Sequence, residues 1–587
     1  MLFAGMNSAM DSRRFVSFFN AHSYSILKDL YEQDKKDNIF SLKVTILKEN
    51  IDKSNDDLLE KIKKLDYKKE YTKYYESLLS LLLYHSIDEC AFQQGLEKIN
   101  EKSNIRKDNG VYYTPEDVSS FIILNSINLS INKEISSFLN EYKSEMFLNN
   151  PFEKIDLLKD KIVNLTILDP TCGTGAFLVK AFDLKVNLLK KMGLSVTNQD
   201  ILSIIKSLYG NDIDNFSTYI TQTRLMFKAI TVSSSLNIES LLNALMKNFY
   251  NFDFLNDYKK ITQKFDFVIG NPPYVEKSKV SNNSNVKYGN IYADVIQNSF
   301  NLLKEKGVLG YIIPISYVST PRFSKFRSFV EKNTSAQYVL SYADRPDCLF
   351  SGVHQKLNII LAQKNKTKKH EIYTSDYIYW YKSQRSQLFD NISYVKNKNT
   401  KEDFYPKLGS VLEEGIYNKI TNNPHSISSC IGGDSKLYLN MRATFWIKSF
   451  IKAPYKSKEY KEFMFSDTNI HLINVILNSS LFWWFWVKIS DCWHITNKEL
   501  SLFTIPNMLQ IDYKKARRLS LSLNELLEKT KEEVNTKQTL YEYKHRKCKK
   551  LIDELDDFLA NVYGLTDEEL LYIKAYKENY RLGIDNQ

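Results

Sequence analysis

The chain has 587 residues, 43% of them hydrophobic and 25% charged, a balance typical of a soluble protein with about two to four domains. No apolar run of about 18 residues occurs, which excludes a long apolar membrane span, and Phe482–Trp486 is too short to cross. The net charge of +11 suits a polyanionic partner, although a composition rich in Lys, Asn and Ile yields the same surplus. Met1–Met6 lacks the basic and long apolar regions of a secretion signal. The six cysteines, Cys90, Cys172, Cys348, Cys430, Cys492 and Cys548, show no Cys-x-x-Cys spacing. They fit a reduced cytoplasm and supply no metal site.

Residues 1–108 read as a helical region. Leu58–Leu65 and Tyr74–Leu83 carry amphipathic spacing, and no Asp with a following Glu-x-Lys lies on a strand-like segment as a nuclease would need. In Gly110–Glu116, Thr114 can cap a helix that has Pro115 at its first position and runs from Asp117 to about Ile131. Residues 132–160 read as a polar helical connection. Ile162–Leu168 is an apolar, β-branched run that predicts a strand. It enters a turn through Gly173 and Gly175, and Ala176–Leu189 then has helical spacing. Such a turn lets a ligand approach main-chain amides at a helix N-terminus. Asn198–Leu208 predicts an added helix before a second strand ending at Tyr209–Asp214. There an acidic residue at the strand tip, Asp212 or Asp214, can accept two ribose hydroxyl hydrogen bonds, and Asp214 can also start the next helix.

Asn251–Leu255 follows a third strand, and Phe265–Gly270 predicts a buried strand ending at Asn271-Pro272-Pro273-Tyr274. Ligands of a doubly wound sheet bind beyond the carboxyl ends of its strands, so both motifs open onto one cleft. A helix follows from Tyr292, then a strand over Gly307–Pro314, a turn at Leu349–Val353 and a strand at Leu357–Leu361. Past residue 365, glycine turns at Gly432–Gly433 alternate with aromatic and basic residues. The cluster at Trp483, Trp484 and Trp486 reads most simply as core. From Asp512 onward, apolar stripes over Leu519–Val534 and Tyr541–Val562 predict a helical hairpin or coiled-coil contact, and Thr566 a helix cap. Lys544, Arg546, Lys549 and Lys550 form either a solvated face or a phosphate contact.

Asp169-Pro170-Thr171-Cys172-Gly173-Thr174-Gly175 followed by Asn271-Pro272-Pro273-Tyr274 resembles the S-adenosylmethionine-dependent DNA methyltransferases that modify adenine N6. The order matches those of the restriction–modification type with the recognition region last. The resemblance implies a Rossmann-like α/β methyltransferase with a doubly wound sheet, a helical N-terminal cap and a mixed α+β recognition domain ending in helices. The domains are then 1–108, 109–365 (catalytic), 366–510 (target recognition) and 511–587 (helical).

By the same resemblance, Tyr113, Thr114 and Pro115 line the methionine end of the cofactor. Asp169 lies beside its ammonium, with Pro170, Cys172, Gly173 and Gly175 forming the turn and Asp212 on the ribose. Asp253 accepts from the adenine amino group, and Phe254 packs on that ring unless it is a core residue. Asn271 and Pro272 accept the two N–H bonds of the target amine, Pro273 stiffens the segment and Tyr274 stacks on the extruded base. Phe350 covers the base's other face or fills a hairpin core. Double-stranded DNA is the implied partner, a separate restriction endonuclease a candidate second one, and no metal is implied. Two other readings share the motifs: a methyltransferase acting on a protein glutamine or an RNA amine, and a catalytically silent DNA-specificity protein.

Overall fold

The computed structural model describes residues 114–132 and 155–582, apart from short stretches at 234, 280–285, 351–352, 366–369, 391, 402, 444, 455–458, 507 and 535–539. The helical region expected over 1–108, and Tyr113, lie outside the described residues. The chain divides into two compact units. One comprises residues up to Ile313 together with Leu361–Lys366, the other Pro314–Ile360 and Thr367 onward.

In the first unit, α1 (Glu116–Asn132) and α2 (Ile155–Asn164) precede β1 (Ile167–Asp169). The apolar run read as one strand from Ile162 is therefore split. Leu158, Ile162 and Val163 are buried at helical spacing on α2, and only Ile167–Asp169 joins the sheet. Then come α3 (Ala176–Lys191), α4 (Asn198–Lys206), β2 (Leu208–Asn211), α5 (Asn215–Val232), α6 (Ile238–Asn248) and β3 (Phe249–Tyr250). The unit continues with β4 (Phe265–Gly270), α7 (Ile291–Leu302) and β5 (Leu303–Pro314). The strand order is β3-β2-β1-β4-β5, and the pairs are parallel. The chain thus winds outward from β1 through β2 to β3, then returns to the other side of β1 as β4. That reversal puts the switch point between β1 and β4, where Ile167 pairs with Phe267 and Leu168 with Val268.

Two polar anchors hold this register. At the start of β4, Asp266 Oδ2 accepts from the Thr166 amide (2.9 Å) and hydroxyl (2.7 Å). Beneath β1, the buried Lys185 of α3 donates to the Leu165 carbonyl (2.6 Å) and the Ser207 hydroxyl (2.7 Å), and burial lowers its pKa to about 7.

The second unit contains α8 (Ser324–Asn333), β6 (Thr334–Tyr342), β8 (Glu371–Ile378) and β9 (Tyr394–Lys396), with β7 (Leu357–Lys364) divided between the units. β6 and β8 are parallel, β8 and β9 antiparallel. Next are α9 (Val411–Thr421) and an antiparallel sheet of β10 (Ile431–Asn440) between β11 (Ser449–Phe450) and β12 (Tyr460–Phe465). Gly432 and Gly433, expected in a turn, form a bulge within β10 instead. A side chain at Gly433 would meet the Phe465 backbone at 2.6 Å, so only glycine lets the strands close there.

α10 (Asp467–Asn478) and α11 (Ser480–Ile489) follow, and every residue of α11 is buried, including Trp483, Trp484 and Trp486. The aromatic run is core, as its composition suggested. Among the described residues no single helix is long and apolar enough to cross a membrane; α10 and α11 reach that composition only as a pair bent by 67°. α12 (Tyr513–Thr530) packs on α13 (Lys549–Tyr563), but the expected hairpin is shorter than its stripes. Between the helices, β13 (Glu532–Glu533) pairs with β14 (Tyr541–Glu542), and the apolar residues beside them, Val534 and Leu540, are exposed rather than packed. α14 (Asp567–Ala575) opens on a capping box of Thr566 and Glu569, and α15 (Glu578–Leu582) ends the described chain.

At the centre of this unit stands Lys488 on α11, fully buried. Its ammonium meets Asp376 of β8 (2.5 Å), Glu413 of α9 and the Tyr576 hydroxyl (3.2 Å). Asp376 also pairs with Lys577 (3.0 Å) and accepts from Tyr576 (2.6 Å), while Glu413 takes the Gly409 amide (2.7 Å) and the Tyr572 hydroxyl. These hydrogen bonds let a charge sit in a core otherwise made of indole and phenyl rings.

Candidate active site

The glycine turn leaves β1 directly above the switch point. Gly173 (φ 52°) and Gly175 (φ 91°) both take left-handed backbone. A side chain at Gly175 would strike Thr221 at 2.7 Å, whereas the Cα face of Gly173 looks into open space. Three partners fix the turn's shape. The Gly173 amide donates to Asp212 (2.8 Å), the Gly173 carbonyl accepts from Thr221 (2.9 Å), and the Thr174 carbonyl accepts from the half-buried Arg224 (2.6 Å), whose pKa desolvation lowers to about 10.

Asp212 is half-buried at the tip of β2 and also accepts the Asp214 amide at 3.0 Å. Burial raises its pKa, opposed by the two amides and reinforced by the Asp214 charge. Asp214 binds the Ser217 amide (3.1 Å) and hydroxyl (2.7 Å), so it caps α5 as its sequence position suggested. Asn211, which carried no signal in the sequence, joins three strand tips. Its side-chain amide donates to the Pro170 (3.0 Å) and Phe252 (3.2 Å) carbonyls, and its main-chain carbonyl accepts the Cys172 amide (2.8 Å). Cys172 is buried within the turn, and burial pushes its thiol well above the ordinary range, which disfavours the thiolate.

Asp169 ends β1 almost wholly buried. One carboxylate oxygen accepts the Thr171 amide at 3.1 Å, and among the described residues no lysine or arginine pairs with it. Burial lifts its pKa well above the carboxylate range, the Thr171 amide opposes this, and the nearby Asp212 charge adds to it. Asp169 also touches the second motif. A methyl group at Gly270 would stand 2.7 Å from Asp169 Oδ1, and Gly270 immediately precedes Asn271. The Thr171 hydroxyl is buried beside it without a hydrogen-bond partner among the described residues.

The Asn271 carbonyl oxygen accepts from the Tyr274 hydroxyl at 2.5 Å, and the Ile312 carbonyl of β5 lies 3.0 Å from the same hydroxyl. Pro272 is buried; Asn271, Pro273 and Tyr274 are half-exposed. After Tyr274 the chain is tied back by an antiparallel bridge between Glu276 and Asn290. The buried Asp294 gathers the amides of Lys287 (2.9 Å) and Tyr288 (3.4 Å). Thr114 is buried and Pro115 half-exposed. Glu116, in the first turn of α1, forms an ion pair with Lys180 of α3, which draws that segment to the helix behind the glycine turn.

Asp253 accepts the Leu255 amide (3.0 Å) and the Asn256 side chain (2.5 Å) at the tip following β3. Phe254 is buried, its ring 6.1 Å from that of Tyr258, so its environment is core-like; Tyr250, Phe252 and Tyr258 around it are half-exposed. Phe350 is buried in the second unit, bridged to Val353, with its carbonyl accepting the Cys348 thiol at 3.0 Å. The structure therefore brings Asp169, Pro170, Cys172, Gly173, Gly175, Asp212 and Asn271–Tyr274 to neighbouring strand ends of one unit. In the second unit, Lys544 is held by Glu532 and Glu542, and Lys549 by Asp553 and Glu578.

Residues 206–347 match the family model described as Eco57I restriction-modification methylase. Over 191 residues the chain is 28% identical to the type II methyltransferase M.BstVI of Geobacillus stearothermophilus, covering 30% of this chain and 33% of that one. Over 283 residues it is 24% identical to the type II methyltransferase M.VspI of Vibrio sp. (strain 343), covering 46% and 52%. The matched stretches thus span a third to a half of those relatives. Among solved structures, the type IIL restriction-modification enzyme MmeI, in complex with DNA, superposes with a TM-score of 0.51 at 15% identity over 87% of this chain and 84% of its own. Taken with the β1/β4 switch point, the structural likeness shows a Rossmann-like α/β fold, and residues 206–347 are similar to restriction-modification methylases.

Proposed function

We propose that the chain is a site-specific DNA methyltransferase that transfers a methyl group from S-adenosylmethionine to the N6 amine of an adenine extruded from duplex DNA. We take its setting to be the cytoplasm, in restriction–modification or phage defence, with a separate restriction endonuclease as the second partner. The observation that carries this reading is the buried Asp169 carboxylate, which lacks a cation among the described residues and abuts Gly270, one residue from Asn271. A buried carboxylate is costly unless something positive neutralises it, and the ligand implied by the motif carries an ammonium. The unpartnered Thr171 hydroxyl and the open face of Gly173 fit the same ligand, leaving a donor and backbone access where its amino-acid end would lie.

When bound, S-adenosylmethionine supplies an electrophilic methyl group on a sulfonium. The residues of the chain do the rest by position. Asp212, fixed by two amides, holds ribose hydroxyls with its remaining lone pairs, and Asp253 offers an acceptor at the next strand end. The Asn271 side chain and the Pro272 carbonyl accept the amine's two N–H bonds. They localise its lone pair and stabilise the positive charge that grows as nitrogen is methylated. In the structure the Asn271 carbonyl oxygen already receives a hydrogen bond from Tyr274, whose hydroxyl has the Ile312 carbonyl as an alternative acceptor. Arrival of the amine therefore costs little, because the tyrosine hydroxyl can turn to Ile312 while its ring lies against the base.

Mapping modified bases in the genome of cells expressing the chain tests this. N6-methyladenine at one recurrent sequence, absent with Asn271→Ala, is the expected result. Unmodified DNA together with a purified protein that binds no S-adenosylmethionine would overturn it.

A further inference from the structure

Outside the strand tips, the second unit holds a cavity of about 350 Å3 between the end of β8 and α15. Tyr379, Tyr381 and Tyr580 form its wall, Gln384 and Asn579 its rim, and Lys577 one side. A smaller pocket shares Tyr379 and Tyr580 and is bordered by Arg345 and Trp493. The aromatic wall is continuous: Phe445 lies 4.9 Å from Tyr580, Tyr580 4.3 Å from Tyr379, and Tyr379 6.3 Å from the core ring of Trp483. Phe445 is 41% exposed, and the tyrosines are half-buried, so this file of rings runs from solvent into the core.

The acids nearby are already neutralised. Asp344 pairs with Lys356 (3.4 Å), Asp376 with Lys488 (2.5 Å) and Lys577 (3.0 Å), and Glu578 with Lys549 (3.4 Å). Arg345 is exposed and makes no ion pair among the described residues, and the Tyr379 and Tyr580 hydroxyls have no hydrogen-bond partner there. The cleft thus offers ring surface, two uncommitted hydroxyls, two side-chain amides and one spare guanidinium. That set suits a planar heteroaromatic base attached to a phosphate. Rings take any base face, amides and hydroxyls take base edges, and guanidinium takes the phosphate.

We propose that this cleft binds an unstacked nucleotide of the DNA, separate from the adenine presented to Asn271, with its base against Tyr379 and Tyr580 and its phosphate on Arg345. The assignment rests on the DNA-methyltransferase reading, and its test is built to fail separately from it. The full chain is titrated with a fluorescent single-stranded oligonucleotide of mixed sequence and, in parallel, with dAMP. Tyr580→Ala should weaken oligonucleotide binding about five- to a hundred-fold, while Tyr580→Phe, which keeps the ring and loses one hydroxyl, should weaken it less than Tyr580→Ala does. Arg345→Gln, at an exposed position with little bearing on folding, should lower the slope of log affinity against log salt by about one.

Unchanged oligonucleotide affinity in both Tyr580→Ala and Arg345→Gln overturns the cleft assignment, and the parent still methylating DNA would leave the methyltransferase reading standing. Saturable dAMP binding lost in Tyr580→Ala with oligonucleotide affinity intact overturns it in favour of a free nucleotide ligand. A parent chain that neither binds nor methylates DNA removes both readings.

Discussion

Replacing Asp169 by Asn separates the two consequences of burying a carboxylate. The substitution keeps the shape and the acceptor oxygen for the Thr171 amide, 3.1 Å away, but removes the ionisation. Burial raises the Asp169 pKa in the folded chain. The folded state therefore holds the proton more tightly than the unfolded one. This group's contribution to stability is full below the unfolded pKa of about 4 and is lost as pH rises through the folded value. At neutral pH the ligand-free Asn variant should be at least as stable as the parent. Binding should move the other way. A hydrogen-bonded ammonium–carboxylate contact contributes about 1.5–3 kcal/mol, so affinity for S-adenosylmethionine should fall roughly 10- to 150-fold. In the parent, that affinity should also weaken as pH falls and Asp169 takes up its proton, and the variant should lose this dependence. Thermal unfolding with and without the ligand, alongside calorimetric titration from acid to neutral pH, reads all three. Parent-like affinity in the Asn variant, or a pH profile that the substitution leaves in place, would refute the role of this carboxylate.

Asn271→Ala should lower single-turnover methylation by about 10²–10³-fold while leaving the S-adenosylmethionine dissociation constant near the parent value, because the residue acts on the amine. Tyr274→Phe should slow the same step by about two- to tenfold, the effect of one hydrogen bond, whereas Tyr274→Ala should also weaken DNA binding through loss of the ring. Lys488→Met should destabilise the second unit by about 3–5 kcal/mol in urea unfolding, since Glu413 and part of the Asp376 charge would be left buried without their cation.

The glycine turn and the Asn-Pro-Pro-Tyr segment were legible because their backbone demands are local. Left-handed φ at Gly173 and Gly175 and the missing amides of Pro272 and Pro273 are properties of single residues. Helix caps at Thr566 and Asp214 were readable for the same reason. What stayed hidden depends on distant partners. Asn211 is one polar residue among many until Pro170 and Phe252 are brought to it, and Lys185 looks like an ordinary surface lysine of an amphipathic helix until the carbonyl of Leu165 closes over it. Ile162 and Val163 have the β-branched composition of a strand yet finish α2, because the helix buries them on its inner face and the sheet needs only three residues of β1. Phe254 was open to two readings, a ring against the cofactor or a core residue, and its burial beside Tyr258 is a property of packing that the local sequence does not carry.

The charge at Lys488 also bears on how this chain can be cut or recombined. Its carboxylate on β8 lies 112 positions upstream and its tyrosine on the far side 88 positions downstream, so three distant stretches must arrive before the ammonium is solvated by protein. A chimera that exchanges the terminal helices for those of a relative must carry Tyr572, Tyr576 and Lys577 with them. Otherwise Lys488 loses the Tyr576 hydroxyl, and Asp376 loses both Tyr576 and Lys577, inside an indole-lined interior.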